Sequence, residues 1–85
     1  MEDIKKLVKD KKVFIGTEQT IKNLKLGRIS KVFVASNCSK DTRGDINHYA
    51  KLSNAAVVEL DTPNDELGIL CRKQFSVSIL GVKKG

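Results

Sequence analysis

Apolar positions along the chain switch repeatedly between helical and strand-like spacing. Ile4, Leu7 and Val8 recur at i, i+3 and i+4 among Lys and Asp, which predicts a short amphipathic helix over about Glu2 to Asp10. Val13-Phe14-Ile15 breaks that period and, bounded by lysines and Gly16, predicts a short buried strand. Thr17 is a plausible N-cap and Gly27 a plausible stop, so Glu18 to Leu26 is expected to be helical. Lys31 to Ala35 predicts a second strand, closed by the polar run Ser36-Asn37-Cys38-Ser39. Ile46, Tyr49, Ala50 and Ser53 share one face of a third helix over about Thr42 to Leu52. Ala56 to Leu60 predicts a third strand. Asp61-Thr62-Pro63-Asn64 then starts a fourth helix, through about Cys71, with Pro63 tolerated in its first turn. Ser76 to Val82 alternates and predicts the last strand.

Helix and strand thus alternate through the chain, which argues for helices on both faces of one sheet. The expected fold is α/β, a three-layer α/β/α sandwich with a four-stranded sheet. With 85 residues and no linker, repeat or low-complexity tract, residues 1–85 are expected to form one domain. A chain this short buries only about 60 to 65 % of the surface its unfolded form exposes, so a deep catalytic cleft is not expected.

Charge narrows the partners. Sixteen Lys plus Arg against ten Asp plus Glu give a formal charge of +6. An excess of that size on so small a surface suits a polyanion, although it also suits a merely soluble one. The two cysteines, Cys38 and Cys71, form no C-x-x-C pair and have no histidine at ligand spacing, so no metal and no cofactor are expected. The single histidine, His48, lies mid-helix beside Tyr49 without a nucleophile or acid to partner it, and no enzyme activity is expected. Ile15-Gly16-Thr17 fits neither glycine-rich nucleotide motif. The N-terminus shows no apolar run followed by a small-residue cleavage site, and the apolar stretches are only a few residues long. The expected protein is therefore cytoplasmic, with no membrane partner, and monomeric when free.

On a wheel of the second helix, Thr17, Thr20, Ile21 and Leu24 occupy one arc, and Glu18, Gln19, Lys22 and Lys25 the opposite one. The first arc is expected to face the sheet and the second to stay exposed beside Gly16. A helix start offers unpaired N–H groups and partial positive charge, and glycine lets a phosphate or sugar come close to an open main chain. Glu18 can accept hydrogen bonds from guanine N1–H and N2–H₂. The same residues also read as a capped helix with an ordinary Glu18–Lys22 pair. Leu26 falls near the polar arc, where it is expected to contact a neighbouring loop.

Three segments together resemble the kink-turn-binding ribosomal protein superfamily, above all its large-subunit L-thirty-e branch of archaea and eukaryotes. They are Gly16-Thr17-Glu18-Gln19-Thr20-Ile21-Lys22, similar to a Gly-x-x-x-Thr-x-Lys helix start; Asp45 to Ser53, similar to a helix carrying Tyr-Ala and Leu-Ser; and Asn64-Asp65-Glu66-Leu67-Gly68 with Arg72-Lys73-Gln74-Phe75-Ser76-Val77. The resemblance implies a mixed sheet and binding to RNA where a short bulge adjoins tandem sheared G·A pairs. It also implies a ribosomal or other ribonucleoprotein role in translation, with ribosomal RNA as partner. Carried over by residue, it puts Gly16, Thr17, Glu18, Gln19 and Lys22 at the G·A pairs and adjoining backbone. Asn37 is to hydrogen-bond RNA and Phe75 to stack on an extruded base with Lys73 nearby. The chain departs from the family pattern at Glu18, where Lys or Asn is common, and at Arg72, where Gly is frequent and the arginine is expected either to alter the loop before Phe75 or to add a phosphate contact. Without the resemblance Phe75 reads more readily as a core residue at a strand entry. The alternative function is a protein-interaction module on the same fold.

Overall fold

The structure, a computed structural model, describes residues 4–84. Its elements are α1 (Ile4–Lys9), β1 (Val13–Ile15), α2 (Thr17–Lys25), β2 (Ile29–Val34), α3 (Lys40–Ser53), β3 (Ala56–Glu59), α4 (Asn64–Leu70) and β4 (Ile79–Lys83). Every expected helix and strand has its counterpart, and the differences are at the ends. Of the expected first helix, Glu2 and Asp3 lie outside the described residues. No helix among the described residues is long and apolar enough to cross a membrane.

The boundary differences have local causes. Gly16, not Thr17, caps α2: its φ of 103° and ψ of 159° suit a residue without a Cβ, and Thr17 is already helical. Helix α3 starts at Lys40 because Ser39 caps it, its Oγ accepting from the Thr42 N–H at 3.2 Å. Pro63 stands just outside α4 as its N-cap rather than within its first turn. Strand β4 begins at Ile79 because the residues before it are held by α4. The Val77 N–H donates to the Asn64 carbonyl at 3.0 Å, and Val77 is buried.

The sheet runs in the order β1-β4-β2-β3, with β4 antiparallel to β1 and β2, and β2 parallel to β3, so it is mixed as expected. Alternation along β2 sends Val32 and Val34 to one face, Phe33 and Ala35 to the other. On the first face they join Leu24 of α2, Ile46 and Ala50 of α3, and Ile79. Ser53 Oγ adds a hydrogen bond from α3 to the Leu24 carbonyl of α2. On the second face Leu67 and Cys71 from the α4 segment pack with Val77, Leu80 and Val82, and Ile4, Leu7 and Val8 of α1 lie against them. The molecule is a three-layer α/β/α sandwich.

Each helix closes through one residue of positive φ: Lys11, Gly27, Asn54 and Arg72. At α4 the Arg72 N–H returns to the Ile69 carbonyl at 2.9 Å and the Lys73 N–H to that of Gly68 at 3.0 Å, the paired bonds of a Schellman turn. A side chain in that conformation costs about 1 kcal/mol or more. Arg72→Gly is therefore expected to stabilise the fold by about 0.5 to 1 kcal/mol after the extra unfolded-state entropy of glycine is counted. Chemical denaturation tests this, and a loss of stability would mean that the arginine side chain holds the turn.

The topology also decides which loops meet. Ile15 pairs with Leu80, and Val34 pairs with both Ile79 and Glu59. The ends of β1, β2 and β3 and the start of β4 therefore lie at one end of the sheet. The segments attached there are Gly16 with the start of α2, the Ala35–Ser39 loop, the Leu60–Pro63 loop, and the chain between α4 and β4.

Candidate nucleic-acid interface

At the start of α2, the Gly16 N–H is not open to a ligand: it donates to the Ile79 carbonyl at 3.0 Å, continuing the ladder between β1 and β4 by one residue. The expectation of an open amide at Gly16 is thus corrected. The Gly16 carbonyl accepts the Thr20 N–H at 3.1 Å, and no side chain caps the helix. The first-turn amides of Thr17, Glu18 and Gln19 are the groups that a helix start leaves for an anion. A Cβ built on Gly16 would meet nothing within 4 Å, so its backbone is approachable.

The polar arc of α2 is as expected. Glu18, Gln19 and Lys22 are exposed, Thr17 and Ile21 half-buried, Thr20 and Leu24 fully buried. Asn23, absent from the expected inner arc, is also buried, with its Nδ2 donating to the Gln19 carbonyl at 2.8 Å. Among the described residues no ion pair joins Glu18 to Lys22, so the ordinary i,i+4 pairing is not formed. No loop covers Leu26, which is 55 % exposed and, with Glu18, Ile21, Lys22 and Lys25, lines an open depression of about 420 Å³.

Asn37 works as a fastener. Its Oδ1 accepts the Asn64 N–H at 2.8 Å, and its Nδ2 donates to Asn64 Oδ1 at 3.1 Å. It thereby caps α4 from the β2–α3 loop and leaves one N–H and spare lone pairs for RNA. Arg43, which no sequence pattern singled out, secures the same loop. Its Nη2 donates to the Ser36 carbonyl at 3.3 Å and its Nη1 pairs with Glu59 Oε1 at 3.0 Å. Such a tie joins residues far apart in sequence, and nothing in the local pattern could have announced it.

Beyond the Schellman turn the chain doubles back across α4. Gly68 makes this possible, since a Cβ there would lie 2.2 Å from the Phe75 carbonyl oxygen. The fold-back leaves the Phe75 ring 61 % exposed, which removes its reading as a core residue. Phe75 lines a depression of about 280 Å³ with Asp65, Ile69, Lys73, Gln74 and Ser76. Ile69, 71 % exposed beside it, was missed; its apolar side chain out of phase with Leu67 and Leu70 was the available signal. Arg72 is not gathered with Phe75. It lines a separate depression of about 390 Å³ with Lys5, Lys6, Lys9 and Asp10 of the α1 segment.

Apart from Arg72, the candidate residues belong to segments attached at one end of the sheet, but on elements from both faces, α2 on the first and the α4–β4 segment on the second. A ligand that touches Lys22 and Phe75 together must wrap across the sheet end, past Asn37. Cys38 and Cys71 are both buried and unpaired, and burial pushes both thiols up in pKa, away from the reactive thiolate. His48 is exposed, its ring edge-on to Tyr49 at 5.2 Å.

Comparison with known proteins adds identity to this geometry. Residues 1–85 match the model of the Ribosomal protein L7Ae/L30e/S12e/Gadd45 family. The chain belongs to this family. The large ribosomal subunit protein eL30 of Saccharolobus solfataricus is 41 % identical over 80 residues, covering 94 % of this chain and 74 % of that protein. Among solved structures, a protein with unknown function from Bacillus halodurans superposes with a TM-score of 0.86 at 18 % identity, covering 96 % of this chain and 81 % of the other. A Giardia lamblia 15.5kD RNA binding protein superposes with a TM-score of 0.79 at 15 % identity, covering 96 % and 68 %. At those identities the two structures share the fold. The eL30 relative is a protein of the large ribosomal subunit, and this chain is a non-catalytic member of the family.

Proposed function

We propose that the protein binds RNA as a component of the ribosome, with ribosomal RNA as its partner, and that the feature it recognises is a kink-turn. The observation that carries the reading is that the start of α2, whose first-turn amides no side chain caps, opens on the same end of the sheet as the basic loop that carries the exposed aromatic Phe75, with Lys22 exposed further along α2. The family and its eL30 relative support the ribosomal setting.

In this reading the amides of Thr17 to Gln19 and the Lys22 ammonium take the backbone and base edges around the sheared pairs, and the Glu18 carboxylate accepts from guanine donors. Gly16 contributes by close approach, since its own N–H is already used. Phe75 supplies a stacking platform for an unstacked base, with Lys73 beside it. Asn37 acts mainly by holding the loops in register, and Arg72 meets phosphate at the edge of the surface.

Lys22→Ala is expected to weaken binding by about 1 to 3 kcal/mol if the ammonium reads a base. Gel shift with a kink-turn RNA, against the same duplex with its bulge deleted, tests both levels of the proposal. Equal affinity for the two RNAs removes kink-turn recognition, and no measurable binding to either removes the RNA-binding role.

A further inference from the structure

The end of the sheet remote from the candidate interface has its own concentration of positive charge. The pairs Val13 with Val82 and Ile29 with Lys83 put the starts of β1 and β2 beside the end of β4 there. The Lys83 N–H donates to the Lys12 carbonyl at 2.9 Å, and the Lys84 N–H to the Arg28 carbonyl at 3.0 Å. With neighbouring strands about 4.8 Å apart, the main chain of Lys12, Lys84 and Arg28 is held within roughly 10 Å. Lys11, in the turn that closes α1, adjoins them.

Lys11, Lys12, Arg28, Lys83 and Lys84 are all exposed. Among the described residues, none of the five is in an ion pair. The Lys83 ammonium lies 5.0 Å from the centre of the Phe14 ring. Asp10 is the one described carboxylate on the adjoining turn. The acids crowd the opposite end instead: Glu18 and Asp41 in the first turns of α2 and α3, Glu59 closing β3, and Asp65 and Glu66 in the first turn of α4. Much of the positive excess that suggested a polyanion partner therefore resides away from the candidate interface. The basic surface also continues along α1 into the depression shared by Lys5, Lys9 and Arg72.

Like charges gathered this closely repel one another unless a polyanion neutralises them. We propose that this remote end binds the phosphate backbone of a second RNA segment, so that the protein joins two pieces of RNA. The contact is sequence-independent, because ammonium and guanidinium groups spread along strand ends meet phosphates rather than base edges. It stands apart from kink-turn recognition and is measurable with a plain duplex.

The test is fluorescence anisotropy with a labelled, bulge-free RNA duplex over a range of salt. The neutralised variant Lys12→Gln/Arg28→Gln/Lys84→Gln is expected to bind at least about tenfold more weakly at low salt, with a log–log salt slope smaller by about 3. Two controls are expected to bind within about threefold of the natural protein. These are the charge-preserving Lys12→Arg/Arg28→Lys/Lys84→Arg and Lys40→Gln/Lys51→Gln, which removes two exposed charges of α3. Should the neutralised triple variant lose its circular-dichroism signature of folding, Lys84→Gln alone carries the test, with a slope smaller by about 1. Unchanged duplex binding by the neutralised protein overturns the proposal, as does an equal loss of binding in the α3 variant. Displacement of the duplex by polyglutamate at equal charge concentration would assign the surface to an acidic protein instead.

Discussion

Gly68→Ala is expected to destabilise the protein by about 1 to 3 kcal/mol, although alanine is the better helix former. On propensity alone the change inside α4 would favour the helix by about 1 kcal/mol. The opposing term is larger because the obstacle is main chain: the added Cβ would lie 2.2 Å from the Phe75 carbonyl oxygen, 3.2 Å from its carbon and 3.4 Å from Ser76 Cα. No rotamer change relieves contacts with backbone, so the segment from Lys73 to Ser76 must lift off the helix. Its anchors, the Lys73 N–H bond to the Gly68 carbonyl and the Val77 N–H bond to Asn64, are strained together. A melting temperature lower by about 4 to 8 °C for each kcal/mol is the readout. RNA affinity should fall as well, because Phe75 rides on the displaced segment. A rise in melting temperature would mean that helix propensity wins and that the close approach is unimportant.

Phe75→Ala is expected to separate binding from stability. The ring is 61 % exposed, so its removal uncovers little core, far from the roughly 3 to 5 kcal/mol that a buried phenylalanine contributes. Loss of a base-stacking platform costs about 1 to 3 kcal/mol of affinity. Titration of a kink-turn RNA, with thermal unfolding in parallel, should therefore show weaker binding at nearly unchanged melting temperature, and Phe75→Tyr should restore the affinity. The reverse result, a collapsed melting temperature with intact binding, would return Phe75 to the core and leave the α4–β4 loop without a role in RNA recognition.

Much of the fold was legible because its signals are local. The run Val32-Phe33-Val34-Ala35 alternates between the two cores, and Leu24, Ile46 and Ala50 recur at helical spacing toward the first of them. The outward arc of Glu18, Gln19 and Lys22 follows from the same geometry. Errors gathered at element ends, where a non-local partner decides. Ser76 to Ser78 alternates as a strand would, yet Val77 bonds to α4. Thr17 has the chemistry of a cap, yet Gly16 takes that place because its N–H is drawn into the sheet by Ile79. Asn37 has no partner in its local sequence, and only the fold shows that Asn64, remote along the chain, bonds both its oxygen and its nitrogen while leaving one N–H and spare lone pairs.

By itself the sequence determined the succession of helices and strands, the two-faced burial of the sheet, and the excess of positive charge, since periodicity and composition are properties of neighbours along the chain. Tertiary structure alone decided the order β1-β4-β2-β3, the exposure of Phe75 above Gly68, and the gathering of Lys12, Arg28, Lys83 and Lys84 at one end of the sheet. Those outcomes depend on which distant segments pair and how closely their backbones approach, and no local pattern of residues encodes a distance across the fold.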